Sequence, residues 1–151
     1  MKKTLGLFAA GALVVALSAC SSGAAPAGSG DAAGGAPNKA LDQIVVGFAQ
    51  VGAESGWRTA NTKDIQDSFK EAGIQLKFSD AQQKQENQIS AIRSYIQQNV
   101  DYIAFSPVVQ TGWDAVLGEA KAAGIPVILT DRAVDSKDTS LYVTFLGSDF
   151  V

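Results

Sequence analysis

Side chains that could bind a small, hydroxyl-rich molecule are concentrated in one short stretch of the sequence. Glu54, Ser55, Trp57 and Arg58 supply a carboxylate, a hydroxyl, an indole and a guanidinium, and Gly56 lies between them. Carboxylates accept hydrogen bonds from hydroxyl groups and guanidinium groups donate to their oxygens, while an aromatic ring can cover the apolar face of a sugar-like ring. The stretch therefore predicts one wall of a binding cleft.

Asp131 and Arg132 form a second group of this kind, directly after an apolar run. The two charges can partly neutralise each other and still bind a neutral polyol. The alternative is a surface ion pair in a loop, which would contribute little to stability. The position after a predicted strand favours ligand contact, because ligands of open parallel sheets bind at the carboxyl ends of the strands. Gln50 and Ser106 follow other predicted strands and are further candidates for ligand contact.

The first stretch also has structural alternatives. Trp57 could be the first core residue of a helix, which is the commoner location of tryptophan. Glu54 and Arg58 could be charges at a helix terminus, where a carboxylate near the N-terminus is favourable. The polar neighbours of Trp57 favour the ligand site instead, since a sugar needs an aromatic wall and polar partners at its rim. Trp113 lies on an apolar helical stripe and is predicted to be core.

The segments that must position these side chains alternate between the spacing of apolar residues that is typical of strands and the spacing that is typical of helices. Five strands are predicted, over residues 44–48, 74–78, 102–105, 125–130 and 141–146. Helical spacing predicts three helices, over residues 58–72, around the stripe Ile89, Ile92, Tyr95 and Ile96, and over residues 112–123. Alternation of strands and helices at about 25–30 residues is typical of βαβ units. The predicted fold class is therefore α/β, a doubly wound parallel sheet formed by residues 42–151.

The glutamine-rich run over residues 82–88 is interpreted as a solvated helix start. Only Gln82 or Gln83 is expected to lie near enough to the cleft to matter.

The first 41 residues differ in composition from the rest. Residues 4–19 form an uncharged apolar run after Lys2 and Lys3, which is too short to span a bilayer comfortably and is typical of a secretory signal peptide over residues 1–19. The run ends at Cys20 in a pattern that resembles a bacterial lipobox, although a chance cysteine after an ordinary signal is the alternative. Residues 20–41 are rich in Ser, Gly, Ala and Pro and are predicted to be a flexible tether. We therefore expect an exported lipoprotein, anchored to the outer face of the cell membrane through Cys20.

Composition and missing motifs argue against several classes of protein. Without residues 1–19 the chain has ten basic and fifteen acidic residues, a net charge of −5, which argues against nucleic acid as a partner. The chain has no histidine, so histidine-based triads and histidine-ligated metal sites are excluded. Dinucleotide, Walker A, G-x-S-x-G and EF-hand patterns are also absent. The sequence predicts no catalytic residue, no metal site and no cofactor.

Four segments of the sequence resemble one protein family. They are Gly47–Arg58, Asp80–Ile89, Ser106–Val109 with Thr111–Trp113, and Asp131–Arg132. These segments resemble the galactofuranose-binding members of the ribose-binding-like, type I periplasmic binding proteins of sugar ABC transporters. The resemblance extends from about Ile44 to Val151.

The resemblance implies a two-lobed, non-enzymatic protein that closes on one monosaccharide, galactofuranose or a related furanose, and delivers it to ABC permease subunits. It also implies which residues contact the sugar from the N-terminal lobe, namely Glu54, Ser55, Gly56, Trp57, Arg58, Asp131 and Arg132. Because family members are longer, we expect this chain to represent the N-terminal lobe, without the second lobe and its ligand contacts.

Two other functions remain open at this point. A sugar-sensing lobe that feeds a membrane signalling kinase would use the same cleft. An exported α/β enzyme has less support, because the chain has no histidine and no nucleophile motif. A transcriptional regulator of similar fold would need a DNA-binding helix pair at its N-terminus, where this chain has a signal sequence.

Overall fold

The structure of the protein, a computed structural model, describes residues 39–148. The predicted signal peptide, the lipidation site Cys20 and the tether as far as residue 38 lie outside the described residues. Among the residues described, no helix is long and apolar enough to cross a membrane.

The fold is organised around a five-stranded parallel sheet with the order β2-β1-β3-β4-β5. Its strands are β1 (Val45–Gln50), β2 (Gln75–Asp80), β3 (Tyr102–Phe105), β4 (Val127–Thr130) and β5 (Thr144–Leu146). The first four strands are connected by α1 (Gly56–Glu71), α2 (Gln85–Gln97) and α3 (Asp114–Ala122). The predicted doubly wound α/β fold is confirmed. The strand order reverses between β1 and β3, which leaves a crevice at their carboxyl ends.

One face of the sheet is closed by α2 and α3. Ala49, Phe105 and Leu129 of the sheet are buried in one core cluster with Ile92 and Trp113. Trp113 is core, as predicted, and its ring centroid lies 4.9 Å from that of Phe105. It precedes α3 rather than belonging to it, so the helix begins later than predicted.

The opposite face of the sheet carries α1, which covers only part of it. Phe48, Ile128 and Leu146 of the sheet line a cavity of about 500 Å³ together with Ile65 and Phe69 of α1. Leu146 is 61% exposed. Within the described residues, this face therefore remains open and largely apolar.

β4 and β5 begin two and three residues later than predicted, whereas the starts of the other strands agree with the prediction to within one residue. β4 begins at Val127, because the backbone N–H of Ile125 donates instead to the Ala120 carbonyl at 3.0 Å and completes the end of α3. β5 is shorter than predicted, because Leu141 ends a 3₁₀ turn whose N-cap is Asp138. In both cases a local hydrogen bond near an element end outweighs the β propensity of the apolar run.

Helix α2 approaches β1 closely at Gly47. An added Cβ at this glycine would lie 2.4 Å from the Tyr95 ring. The Tyr95 hydroxyl donates to the Phe48 carbonyl at 3.0 Å and also lies 2.7 Å from Ser79 Oγ. Burial raises the pKa of the Tyr95 phenol, so it remains protonated and can donate. The close packing of the Tyr95 ring on Gly47 sets the distance between α2 and the sheet.

Candidate functional site

The connection from β1 to α1 places the first group of candidate residues at the carboxyl end of the sheet. Ser55 is the N-cap of α1, and its Oγ accepts a hydrogen bond from the Arg58 backbone N–H at 3.1 Å. The helix therefore begins at Gly56, earlier than predicted, and Trp57 and Arg58 fall in its first turn. Successive helical residues point about 100° apart. Trp57 is consequently 58% exposed, whereas Arg58 is 2% exposed.

Buried Arg58 is the centre of the site. Its Nε donates to Glu54 Oε1 at 3.1 Å, its Nη2 to Asp131 Oδ2 at 2.7 Å and its Nη1 to Gln50 Oε1 at 3.3 Å. Its guanidinium carbon lies 4.7 Å from the centroid of the Trp57 ring. These partners replace the water that the guanidinium loses on burial. One cation thus joins residues that follow β1 to a residue that follows β4.

Asp131 holds its place through an uncommon backbone conformation. Its φ is +64°, in the left-handed region that Asp and Asn tolerate better than most side chains. Its backbone N–H donates to the Leu146 carbonyl of β5 at 2.8 Å. Arg132 Nε lies 3.6 Å from Asp131 Oδ2, so the predicted pair forms, but Arg58 is the closer partner. The Arg132 side chain remains 45% exposed.

These side chains surround an open cleft of about 650 Å³ at the carboxyl end of the sheet. It is lined by Glu54, Ser55, Trp57, Arg58, Asp131, Arg132 and Ser148. The four ionisable residues are two carboxylates and two guanidiniums, so their formal charges cancel. Such a lining suits a neutral polar ligand better than an ion.

The buried polar groups around the cleft have their partners within the protein. In the range 39–148, no buried side-chain nitrogen or oxygen lacks a hydrogen-bond partner. No cluster of acidic residues in that range could hold a metal ion. The two nearby carboxylates, Glu54 and Asp131, are instead bridged by Arg58. The site is therefore held in position by the protein itself.

Residues 45–151 match the family model of the periplasmic binding protein domain. The chain belongs to this family.

Several known periplasmic binding proteins are similar to the chain. The galactofuranose-binding protein YtfQ of Escherichia coli K12 is 56% identical over 106 residues, which cover 70% of this chain and 33% of that protein. A Mycobacterium smegmatis protein, solved in complex with β-D-fucofuranose, has a TM-score of 0.70 and 71% identity over 71% of this chain and 35% of its own. The arabinose-transporter component of Shewanella sp. ANA-3, bound to L-arabinofuranose, has the same TM-score and coverage at 56% identity. This chain spans about a third of the length of these relatives.

In this periplasmic binding protein, the two predicted groups of residues lie together. Glu54, Ser55, Trp57 and Arg58 face Asp131 and Arg132 across one cleft. Gly56 lies beside them, with open space where a side chain would be. The alternative prediction, that Trp57 is the first core residue of a helix, is wrong, because Trp57 is exposed. Arg58 is not an exposed helix-terminus charge either, because it is buried between two carboxylates.

Gln50, a further candidate, lies behind the cleft. Its side chain is fully buried, and its Oε1 accepts from Arg58 and from the backbone N–H of Val51. Its Nε2 donates to Asn61 Oδ1 and Thr62 Oγ1, both at 3.0 Å. All of its hydrogen-bonding capacity is used within the protein. The geometry therefore makes Gln50 a support for Arg58 rather than part of the cleft lining.

Ser106, the other further candidate, is also buried. It is 1% exposed, and its Oγ lies 2.9 Å from Thr130 Oγ1. This hydrogen bond joins the ends of β3 and β4 beneath Asp131, which directly follows Thr130.

Sequence reasoning missed two residues at this end of the sheet. Ser148 lines the cleft. It follows the fifth strand, and ligands of parallel sheets bind at the carboxyl ends of the strands, so its position was the available signal. Gln88 was expected to be solvated, but it is fully buried, so that interpretation was wrong. Its spacing of four residues from Ile92 places it on the buried stripe of α2, which was the available signal.

Proposed function

We propose that this chain forms the N-terminal lobe of the substrate-binding protein of an ABC-type sugar importer. In this proposal its cleft binds one side of a furanose, galactofuranose or a close relative, for delivery to the permease. The observation that carries the proposal is Arg58, buried between Glu54 and Asp131 and beside the exposed ring of Trp57. The furanose ligands of the similar proteins support the choice of sugar.

The proposed binding mode follows from the chemistry of these groups. Arg58 occupies Glu54 Oε1 and Asp131 Oδ2, which leaves the other oxygen of each carboxylate to accept from sugar hydroxyls. Arg132 donates to ring or hydroxyl oxygens, and Trp57 packs on the apolar face of the ring. The sugar is bound without a chemical step, so the protein acts as a carrier and not as an enzyme.

Isothermal titration of the full-length protein tests this function. Galactofuranose and arabinofuranose should bind, and a pyranose such as glucopyranose should bind more weakly or not at all. Failure to bind any furanose or pyranose would contradict the proposal.

Trp57→Ala is expected to weaken furanose binding by ~1–3 kcal/mol, as loss of a buried aromatic anchor does at other binding sites. Ligand should also change the emission of Trp57, whereas Trp113 is only 1% exposed and should respond little. Fluorescence titration should show a smaller ligand-induced change in Trp57→Phe than in Trp113→Phe, the matched control. An unchanged affinity in Trp57→Ala together with a lower melting temperature would assign Trp57 a structural role only.

The proposal includes export and lipid anchoring, with residues 1–19 as the signal peptide, Cys20 as the lipidated residue and residues 20–41 as the tether. Its support is the sequence pattern alone. Cys20→Ala is expected to move the protein from the membrane fraction to the soluble fraction and to abolish incorporation of labelled palmitate. An unaltered membrane fraction in this variant would contradict the lipid anchor.

A further inference from the structure

We propose that Gln88 of α2 is a positioning residue for the sugar site, holding the diverging ends of β1 and β3 at the spacing that the site requires. This inference rests on the proposed function and adds a residue that lies outside the cleft lining.

The contacts of Gln88 lie where the two central strands separate. The β1–β3 pairing ends with Ala49 opposite Phe105. Beyond this pair, Gln88 Nε2 donates to the Ala49 carbonyl at 3.1 Å and to the Ser106 carbonyl at 2.6 Å. Its Oε1 accepts from the Val108 backbone N–H at 2.9 Å. A side-chain amide thus replaces the strand-to-strand hydrogen bonds at the crevice.

Two paths lead from this amide to the same carboxylate in the cleft. Along β1, Gln50 follows the bonded carbonyl, and its Oε1 accepts from Arg58, which in turn binds Asp131. Along β3, the bonded carbonyl belongs to Ser106, whose Oγ is hydrogen-bonded to Thr130. Because Thr130 directly precedes Asp131, a change in the strand spacing would reach the site from both sides.

The geometry requires a primary amide at this position. Two carbonyl oxygens face the nitrogen and one N–H faces the oxygen, and only Asn or Gln offers two donors and an acceptor in one planar group. A glutamate would turn carboxylate oxygens toward two carbonyl oxygens, and a methionine would satisfy none of the three groups. Buried carbonyl and N–H groups left without partners are costly, so the strand ends are expected to move to find new ones.

The test compares Gln88→Glu and Gln88→Met with Tyr95→Phe in the full-length protein. Tyr95→Phe is the matched control, because Tyr95 also lies on α2 and also donates to a β1 carbonyl, but its second partner is Ser79 of β2 rather than a residue of β3. Phenylalanine also keeps the ring that packs on Gly47. All three variants should melt at lower temperature. The Kd for galactofuranose should rise about tenfold or more in the Gln88 variants, since small misplacements of binding groups are costly, and stay within about twofold in the control.

A second measurement needs no sugar. The Arg58 Nε–H group, held by Glu54, gives its own signal in a ¹H–¹⁵N correlation spectrum, identified by its loss in Arg58→Lys. This signal should shift and exchange faster with water in the Gln88 variants, and stay unchanged in Tyr95→Phe. If Gln88→Met does not fold, the nearly isosteric Gln88→Glu provides the same comparison.

The outcomes separate this inference from the proposed function. If the unaltered protein binds no furanose, the proposed function fails and the Arg58 signal alone decides the role of Gln88. An unchanged Arg58 signal and an unchanged Kd in Gln88 variants that melt earlier would overturn the inference and leave Gln88 a purely structural residue.

Discussion

Arg58→Met is expected to abolish sugar binding and to lower the free energy of unfolding by about 3 kcal/mol. Methionine keeps much of the apolar stem but leaves Glu54 and Asp131 without the cation that bridges them. The side chains of Glu54 and Asp131 are 25% and 29% exposed, so water can partly replace the lost guanidinium. The decrease in the free energy of unfolding should therefore lie at the lower end of the range for a buried ion pair that loses one partner. Urea unfolding and isothermal titration of the full-length protein measure the two effects.

Arg132→Met is the matched control for this prediction. The Arg132 side chain is 45% exposed and its contact with Asp131 is 3.6 Å, compared with 2.7 Å for Arg58. The free energy of unfolding should therefore fall by less than about 1 kcal/mol, while sugar affinity still decreases. Equal losses of stability in both variants would show that Arg58 is not the centre of the site.

Gly47→Ala is expected to lower the free energy of unfolding by roughly 2–3 kcal/mol, as overpacking of a tight core does. The new Cβ would lie 2.4 Å from the Tyr95 ring. That ring has little room to move, because it is 3% exposed and its hydroxyl is bonded to the Phe48 carbonyl. Urea unfolding, followed by far-UV circular dichroism, measures the effect.

Gly118→Ala is the control, and it is expected to change the free energy of unfolding in the opposite direction. Gly118 lies inside α3, with open space where its Cβ would be. Alanine at this helical position should raise the free energy of unfolding by about 0.5–1 kcal/mol, because it restricts the unfolded chain and favours the helix. If Gly47→Ala were as stable as Gly118→Ala, the close approach of α2 to β1 would not be a constraint on the fold.

Local chemistry was sufficient to predict the elements and most of the candidate site. β3 was predicted over Tyr102–Phe105 and is found there, because a continuous apolar run is a property of the segment itself. The first helix ends before Gly73, which has a φ of +74°, a conformation that glycine adopts without strain. Asp131 was predicted from its place after a strand, because the carboxyl ends of parallel strands share one edge of the sheet.

Only the tertiary structure decided how the site residues divide their roles. Arg58 binds Asp131 across 73 positions of sequence, a contact set by the order of the strands and the start of α1. Neighbouring helical positions expose Trp57 and bury Arg58, although both are large residues in one polar stretch. The burial of Gln88 depends on two strands diverging above it. Local pattern encodes which residues stand at a strand end, whereas their partners depend on packing between distant segments, which a local pattern does not contain.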